Sequence, residues 1–165
     1  MRIVLAVIAL FTLTASPAFA DWGFARWGDN PGQVIAASGG QVRASTSGTD
    51  DDTVEAFPIG AVAPAWLQGG LPFRAVFYFD IDKDALRMVK LTPPRGEALC
   101  ARLRLWLIGR YGDPQSSSNK AVLRIDQWFA TPEGNDMRLS QVGTGEAALC
   151  SLVYVPANTL YRPKG

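Results

Sequence analysis

The clearest pattern in the chain lies between residues 73 and 79, where every second residue is a phenylalanine or an alanine. A period of two places these residues on one face of a β-strand. Residues 80–84 are mostly charged and typical of a turn, and the mainly apolar segment 86–91 follows. The two segments therefore predict an antiparallel hairpin.

A first helix is predicted directly after Asn30. Asparagine is a favoured N-cap residue, Pro31 fits the first helical position, and Gln33 stands where a capping box needs glutamine or glutamate. Gly39 and Gly40 end the helix after about two turns, because glycine is common just beyond a helix.

A second helix is predicted over residues 95–111, after the pair Pro93-Pro94 has stopped the preceding strand. Its apolar residues recur at helical spacing and form one buried stripe, made of Leu99, Leu103, Trp106 and Leu107. Arg102 and Arg104 are expected to face more outward. Gly112 fits the C-terminal cap of this helix.

The remaining apolar segments predict further strands. Segments near residues 54–57 and 62–67 are interrupted by prolines, which favours edge strands or bends. Residues 115–120 are predicted to form a polar loop. Three more strands are then expected, over residues 122–129, 137–142 and 149–155, and a loose tail from about residue 157.

The order helix, strands, helix and three strands predicts an α+β fold. We expect one domain over residues 21–165, in which two helices pack on an antiparallel sheet of about five to seven strands. About 145 residues are enough for one ordinary hydrophobic core.

Residues 1–20 have the pattern of a cleavable signal peptide. Arg2 precedes an apolar run over residues 3–12, and the sequence ending in Ala20 fits the small-x-small cleavage rule, with Asp21 as the first mature residue. The alternative is an uncleaved N-terminal anchor, but the run is shorter than the roughly 20 residues that a spanning helix needs.

Export to the periplasm is the first expectation from this signal, and full secretion is the alternative. Asp21 stands where a lipoprotein would carry a cysteine. No later stretch of the sequence is long and apolar enough to predict a membrane span.

Net charge argues against nucleic acid as a partner. Removing residues 1–20 removes one basic side chain, Arg2, and no acidic one, so the mature chain carries 15 of each sign. Proteins that bind nucleic acid normally show a basic excess.

Histidine is absent from the sequence. Its absence excludes Ser-His-Asp and Cys-His catalysis as well as imidazole relays, and it removes the commonest zinc ligand. We therefore predict no enzymatic activity of these classes, no metal site and no cofactor.

Cys100 and Cys150 are the two cysteines, and both belong to the mature chain. In an oxidising compartment such a pair is typical of a structural disulfide. A redox-active pair usually has the C-x-x-C spacing, which this pair lacks.

Two acidic groups are candidates for chemistry. The residues Asp80, Asp82 and Asp84 resemble the start of a calcium loop, but the later glycine and glutamate positions of that motif are not matched, so a hairpin turn is expected. Asp51 and Asp52 could serve a carboxylate-dependent hydrolase if they faced other acids across a cleft.

Trp128 and Trp66 are the candidate binding residues among five tryptophans. Residues 122, 124, 126 and 128 share the more polar face of their predicted strand, so Trp128 is expected to be exposed. Trp66 stands close to the turn-forming pair Gly69-Gly70. Exposed aromatic residues near arginines are typical of contact surfaces.

The opening Phe24-Ala-Arg-Trp27-Gly-Asp-Asn-Pro31-Gly-Gln-Val34 resembles the aromatic-x-x-Trp-Gly-x-x-Pro-x-x-Val start of small exported bacterial domains, many of them of unknown function. The hairpin around Asp80 and the helix ending at residues 110–114 are similar to the same group. The resemblance implies a helix-plus-antiparallel-sheet fold used for protein contacts at the envelope, as in small outer-membrane assembly lipoproteins. It assigns no functional residue.

Three functions are consistent with the sequence. The first is a non-catalytic periplasmic protein that binds another envelope protein, as an inhibitor or an assembly factor. The second is a small hydrolase of cell-wall or sugar substrates that acts through carboxylates such as Asp51 or Asp52. The third is a module that binds a small apolar ligand between sheet and helix.

Overall fold

The computed structural model of the protein describes residues 21–44, 59–68, 71–80 and 82–160. The predicted signal peptide at residues 1–20 lies outside the described residues, and so do Asp51 and Asp52. Trp66 is described by its backbone alone.

The described residues form ten strands and two α-helices. The strands are β1 (Asp21–Trp22), β2 (Ala25–Arg26), β3 (Arg43–Ala44), β4 (Ile59–Gln68), β5 (Leu71–Phe79), β6 (Leu86–Thr92), β7 (Ser116–Lys120), β8 (Leu123–Trp128), β9 (Asn135–Val142) and β10 (Leu149–Pro156). The helices are α1 (Pro31–Ala37) and α2 (Glu97–Tyr111), and a 3-10 turn spans Gly145–Ala147.

One antiparallel sheet organises the described part of the chain. Its strand order is β3-β4-β5-β6-β10-β9-β8-β7, and β1 pairs with β2 in a separate two-stranded ribbon. Each neighbouring pair in the large sheet is antiparallel. The α+β class with two helices on an antiparallel sheet is therefore confirmed, while the described sheet has eight strands instead of five to seven.

The additional strands explain the difference in number. The segment predicted as a polar loop is strand β7, which pairs with β8 alone at the edge of the sheet. Because an edge strand pairs with only one neighbour, its residues need not alternate between apolar and polar, and the serine-rich β7 shows no such alternation. The short strand β3 has only two residues, too few for any pattern.

The hairpin predicted from the alternating phenylalanines is confirmed as β5 and β6. The turn between them is closed by a hydrogen bond of 2.8 Å from the Asp80 N–H to the Ala85 carbonyl. In β4, the pairing with β5 shifts between Ala63 and Trp66, on either side of Pro64. Proline cannot donate to the ladder, which accounts for the irregularity there.

Helix α1 begins as the sequence predicts. The Asn30 side chain accepts from the Gln33 N–H at 2.9 Å, and the Gln33 side chain accepts from the Asn30 N–H at 2.8 Å. Pro31 occupies the first turn, where a missing N–H costs nothing. Gly39 and Gly40 follow the helix with positive φ angles, a conformation that glycine adopts without strain.

Helix α2 begins two residues later than predicted. Gly96, with φ 134°, precedes Glu97 and keeps the chain out of the helical conformation at that point. Gly112 ends the helix with φ 78°, as expected. The fully buried side chains of the helix are Cys100, Leu103 and Leu107, whereas Leu99 and Trp106 are partly buried.

The main core lies between the helices and one face of the sheet. It combines alternate residues of β5 with the buried residues of both helices, including Phe73, Phe77, Phe79, Val34, Leu103 and Leu107. The intervening residues of β5 belong to a smaller cluster on the opposite face, made of Val76, Tyr78, Met88, Val153 and Val155. The predicted division of the strand into two faces is confirmed.

Residues 157–160 are held more firmly than a loose tail would be. The Ala157 N–H donates to the Gly134 carbonyl at 3.0 Å. The N–H groups of Thr159 and Leu160 both donate to one carboxylate oxygen of Asp136, at 3.0 and 3.1 Å. The expectation of a loose tail from residue 157 is therefore wrong for residues 157–160, because the Gly134 carbonyl and a buried acid from β9 bind their backbone.

Cys100 and Cys150 form the predicted disulfide, which joins α2 to β10. Their Cα atoms are 5.7 Å apart, a distance typical of a disulfide. Such bonds persist in oxidising compartments. Among the described residues, no helix is long and apolar enough to cross a membrane.

Replacing both cysteines by alanine should lower the free energy of unfolding by about 4 kcal/mol, because the bond closes a loop with a sequence separation of 50 in the unfolded chain. Urea unfolding of a chain that comprises residues 21–165 measures this loss. A reductant should shift the wild type to the midpoint of the double variant and leave that variant unchanged. Equal midpoints for oxidised and reduced wild type would contradict a structural role.

Candidate functional site

The prediction that Trp128 is an exposed contact is wrong, since its side chain is 0% exposed. Arg124, Asp126 and Trp128 do share one face of β8, but helix α2 covers that face. The Trp128 indole N–H donates to the carbonyl of Gly112 at 2.9 Å, just beyond the end of α2. Trp128 therefore anchors a helix end within the core.

Trp66 lies in β4, where its backbone pairs with Phe73 of β5. Its side chain is outside the described residues. The contact role predicted for Trp66 stays a prediction.

An open groove of about 370 Å³ lies between α2 and the hairpin of β7 and β8. We call it the α2–β8 groove. Its lining includes Glu97, Arg104 and Leu105 from the helix, and Val122, Leu123 and Arg124 from the hairpin.

Asp126 ties the two arginines of the groove together. Arg104 donates from Nε to Asp126 Oδ2 at 2.8 Å, and Arg124 donates from Nε to the same oxygen at 3.1 Å. The other oxygen, Oδ1, accepts from the Ser117 hydroxyl at 2.6 Å. Side-chain exposure is 1% for Asp126, 26% for Arg104 and 38% for Arg124, so the acid is covered while the arginines reach the surface.

The positions of these residues follow from the local structure. Arg104 stands one helical turn after Cys100, which the disulfide fixes on β10. Gln141 pairs with Arg124 on one side and with Cys150 on the other, so the disulfide and Arg124 belong to the same cross-strand row. Helix and sheet therefore bring the two guanidinium groups together from residues 20 positions apart.

The ionisation of Asp126 reflects two opposing effects. Burial alone would raise the pKa of this carboxyl group, because it disfavours the charged form. The hydrogen bonds from Ser117 and Arg104, together with the positive charges of Arg104 and Arg124, outweigh burial and hold the pKa below its ordinary value. Asp126 is thus a carboxylate at neutral pH and fixes both arginines.

The rim of the groove is apolar. Leu105 is 67% exposed and Val122 is 62% exposed, and both line the groove. Large aliphatic side chains beside fixed arginines are typical of protein contact surfaces, where the apolar contacts contribute binding energy and the arginines contribute specificity.

One acid borders the same groove. Glu97 accepts a hydrogen bond of 2.6 Å from the Gly145 N–H through Oε2, which connects the first turn of α2 with the loop after β9. The neighbouring Gly143 N–H donates to the Val122 carbonyl at 2.8 Å. These two loop amides are therefore already paired within the protein.

A second exposed apolar surface lies on the face of the sheet that points away from α2. Leu123, Val142 and Leu149 are direct cross-strand neighbours on β8, β9 and β10, and all three are exposed. Lys120 of β7 pairs with Leu123 at one end of this row, and Leu123 also borders the α2–β8 groove. The row presents no arginine held by a buried acid.

A polar cluster at the C-terminal end of α2 has a structural explanation. Arg110 donates to the Tyr111 hydroxyl at 3.0 Å and to Glu133 Oε1 at 2.9 Å. Burial raises the pKa of Tyr111 and of the nearby Tyr154, so both are neutral phenols at neutral pH. Neutral phenols are weak nucleophiles, so Tyr111 and Tyr154 are poor candidates for nucleophilic catalysis.

The predicted turn at residues 80–84 has the structure of a hairpin connection. Asp80 accepts from the Asp82 N–H at 3.0 Å and lies 3.6 Å from the Arg87 guanidinium, so this acid is used within the turn. Among the described residues, no group of three or more acidic, cysteine or histidine side chains could hold a metal ion.

Sequence reasoning missed the central residues of the groove. Arg104 was expected to face outward, yet it turns toward Asp126 and is partly buried. One signal was available in the sequence, since Arg124, Asp126 and Trp128 stand at every second position and so share one face of a strand. A polar face that also carries a tryptophan is consistent with burial against a charged residue of another element.

No protein-family model, curated protein or solved structure matches this chain. The α2–β8 groove is the candidate site because it combines exposed apolar residues with arginine side chains fixed by a buried charge.

Asp126→Asn should lower the free energy of unfolding by roughly 2–3 kcal/mol, because a buried charge and its charge-assisted hydrogen bonds are lost. The pKa of Asp126 is lowered by folding, so its contribution is complete above about pH 4 and is lost as the pH falls through the folded-state value. Urea unfolding between pH 7 and pH 2 should therefore show a shallower acid loss in the variant.

The matched control for this measurement is Asp82→Asn, which changes an exposed acid in the β5–β6 turn. We expect it to shift stability by less than about 0.5 kcal/mol. If Asp126→Asn were as stable as this control at pH 7, the carboxylate would not hold the two arginines in the way described.

Proposed function

We propose that the mature chain is a non-catalytic exported protein of the periplasm that binds another envelope protein through the α2–β8 groove. Export is supported by the signal pattern of residues 1–20 and by a disulfide of the kind found in oxidising compartments. The chain acts as an inhibitor or an assembly factor of the protein that it binds.

The observation that carries the proposal is the composition of the groove. Leu105 and Val122 expose more than half of their surface to water. Burial of these apolar side chains by a partner would contribute favourable free energy to binding. Arg104 and Arg124 are held in place before any partner arrives, so little side-chain entropy is lost on binding.

The other two functions receive less support. The hydrolase alternative names carboxylates such as Asp51 or Asp52, which lie outside the described residues. An apolar ligand between α2 and the sheet would need space that Leu103, Leu107 and Trp128 fill, since each of these side chains is fully buried. Protein binding is therefore the function that the described geometry favours.

A photoreactive amino acid at position 105 tests the proposal in living cells. We expect irradiation to give one discrete adduct with an envelope protein, since Leu105 lies at the rim of the groove and would contact the partner. Immunoblotting detects the adduct, and mass spectrometry identifies the captured protein.

The matched control places the same amino acid at position 149, because Leu149 is also exposed but lies in the row on the opposite face of the sheet. The proposal predicts no adduct there. An adduct at position 149 without one at position 105 would place binding on the other face, and no adduct at either position would argue against a protein partner.

A further inference from the structure

The arginine pair has one more positive charge than the buried acid balances. Arg104 and Arg124 both form an ion pair with the carboxylate of Asp126. Among the described residues, neither arginine has another acidic partner. Each guanidinium carries five N–H donors and uses Nε on Asp126. Both side chains line the groove, so donors of both remain for an anion that enters it.

We infer that this pair recognises the carboxylate of an aspartate or glutamate side chain on the partner, while aliphatic neighbours of that acid contact Leu105 and Val122. The inference rests on the proposed function, because it names the chemistry by which the same groove selects its partner. Arginine is well suited to this task, since its planar guanidinium binds a carboxylate through two parallel hydrogen bonds.

The C-terminal carboxylate of a peptide fits the groove less well than a side chain. Capture of a chain terminus commonly uses free backbone N–H groups. In the loop that borders the groove, the Gly143 N–H is bonded to Val122 and the Gly145 N–H is bonded to Glu97. The charged donors that line the groove are the two arginine side chains, which suits an acid presented from the side of a partner segment.

Charge also disfavours a phosphate group. Glu97 lines the groove together with the arginines, so an entering anion meets one carboxylate as well as two cations. After Asp126 has balanced one of the two arginines, one positive charge is left, which matches a single carboxylate and leaves a phosphate dianion unbalanced. The mature chain has no excess of basic residues that would attract polyanions.

Two short peptides test the inference directly on the oxidised mature protein. The probes are acetyl-Leu-Glu-Val-amide and acetyl-Leu-Gln-Val-amide, which differ by one charge and have blocked termini. Titration of ¹⁵N-labelled protein, followed through the Nε–H signals of Arg104 and Arg124, should show about tenfold tighter binding of the glutamate peptide. Added salt should weaken the preference, because the arginines are partly exposed.

Arg124→Gln should remove the preference between the two peptides, and Arg124→Lys should restore part of it because the charge returns without the planar fork. Inorganic phosphate and acetyl-Leu-Val with a free carboxyl terminus serve as competitors. If either displaced the glutamate peptide at an equal concentration, the assignment to a side-chain carboxylate would be overturned.

The wild-type comparison decides the inference even if the variants fail to fold. Equal affinity for the glutamate and glutamine peptides, or no change at either arginine signal, overturns it. These outcomes differ from a failure of the proposed function. An adduct at position 105 together with equal peptide affinities would support protein binding and contradict the preference for a carboxylate. A clear preference for the glutamate peptide without any adduct would support the carboxylate subsite and contradict a protein partner.

Discussion

The buried carboxylate of Asp126 is the interaction on which the groove depends. It receives hydrogen bonds from a helix residue, Arg104, and from two sheet residues, Arg124 and Ser117. A buried charge is costly unless it is paired, so the helix and sheet are favoured only in the position that brings these partners together. The same contacts hold two arginines at the edge of an open groove.

Two further connections fix α2 on either side of that contact. The disulfide attaches Cys100 to β10 one turn earlier, and the Trp128 indole binds the Gly112 carbonyl beyond the helix end. Three attachments along one helix leave little freedom for α2 to move relative to the sheet. The groove is therefore a rigid part of the fold, and a rigid site of this kind would keep the entropic cost of the proposed association low.

Local features of the fold could be predicted from the sequence, whereas the site could not. The Asn30 cap, the alternation from Phe73 to Phe79 and the cysteine pair each carry their signal within a few residues or in residue type. The exposure of Trp128 and Arg104 depends on which face of β8 the helix covers, and that choice is made by packing across the whole domain. The polar edge strand β7 was missed for a related reason, since its strand conformation comes from pairing with β8.

Hydroxyl-radical footprinting in intact cells tests most directly whether the groove is the covered surface. Side-chain oxidation is compared between the protein in cells and the purified protein. Leu105 and Val122 should be protected in cells by several-fold, while Val142, exposed on the opposite face, should be oxidised to the same extent in both samples. Protection of Val142 with unchanged oxidation of Leu105 and Val122 would contradict binding through the α2–β8 groove.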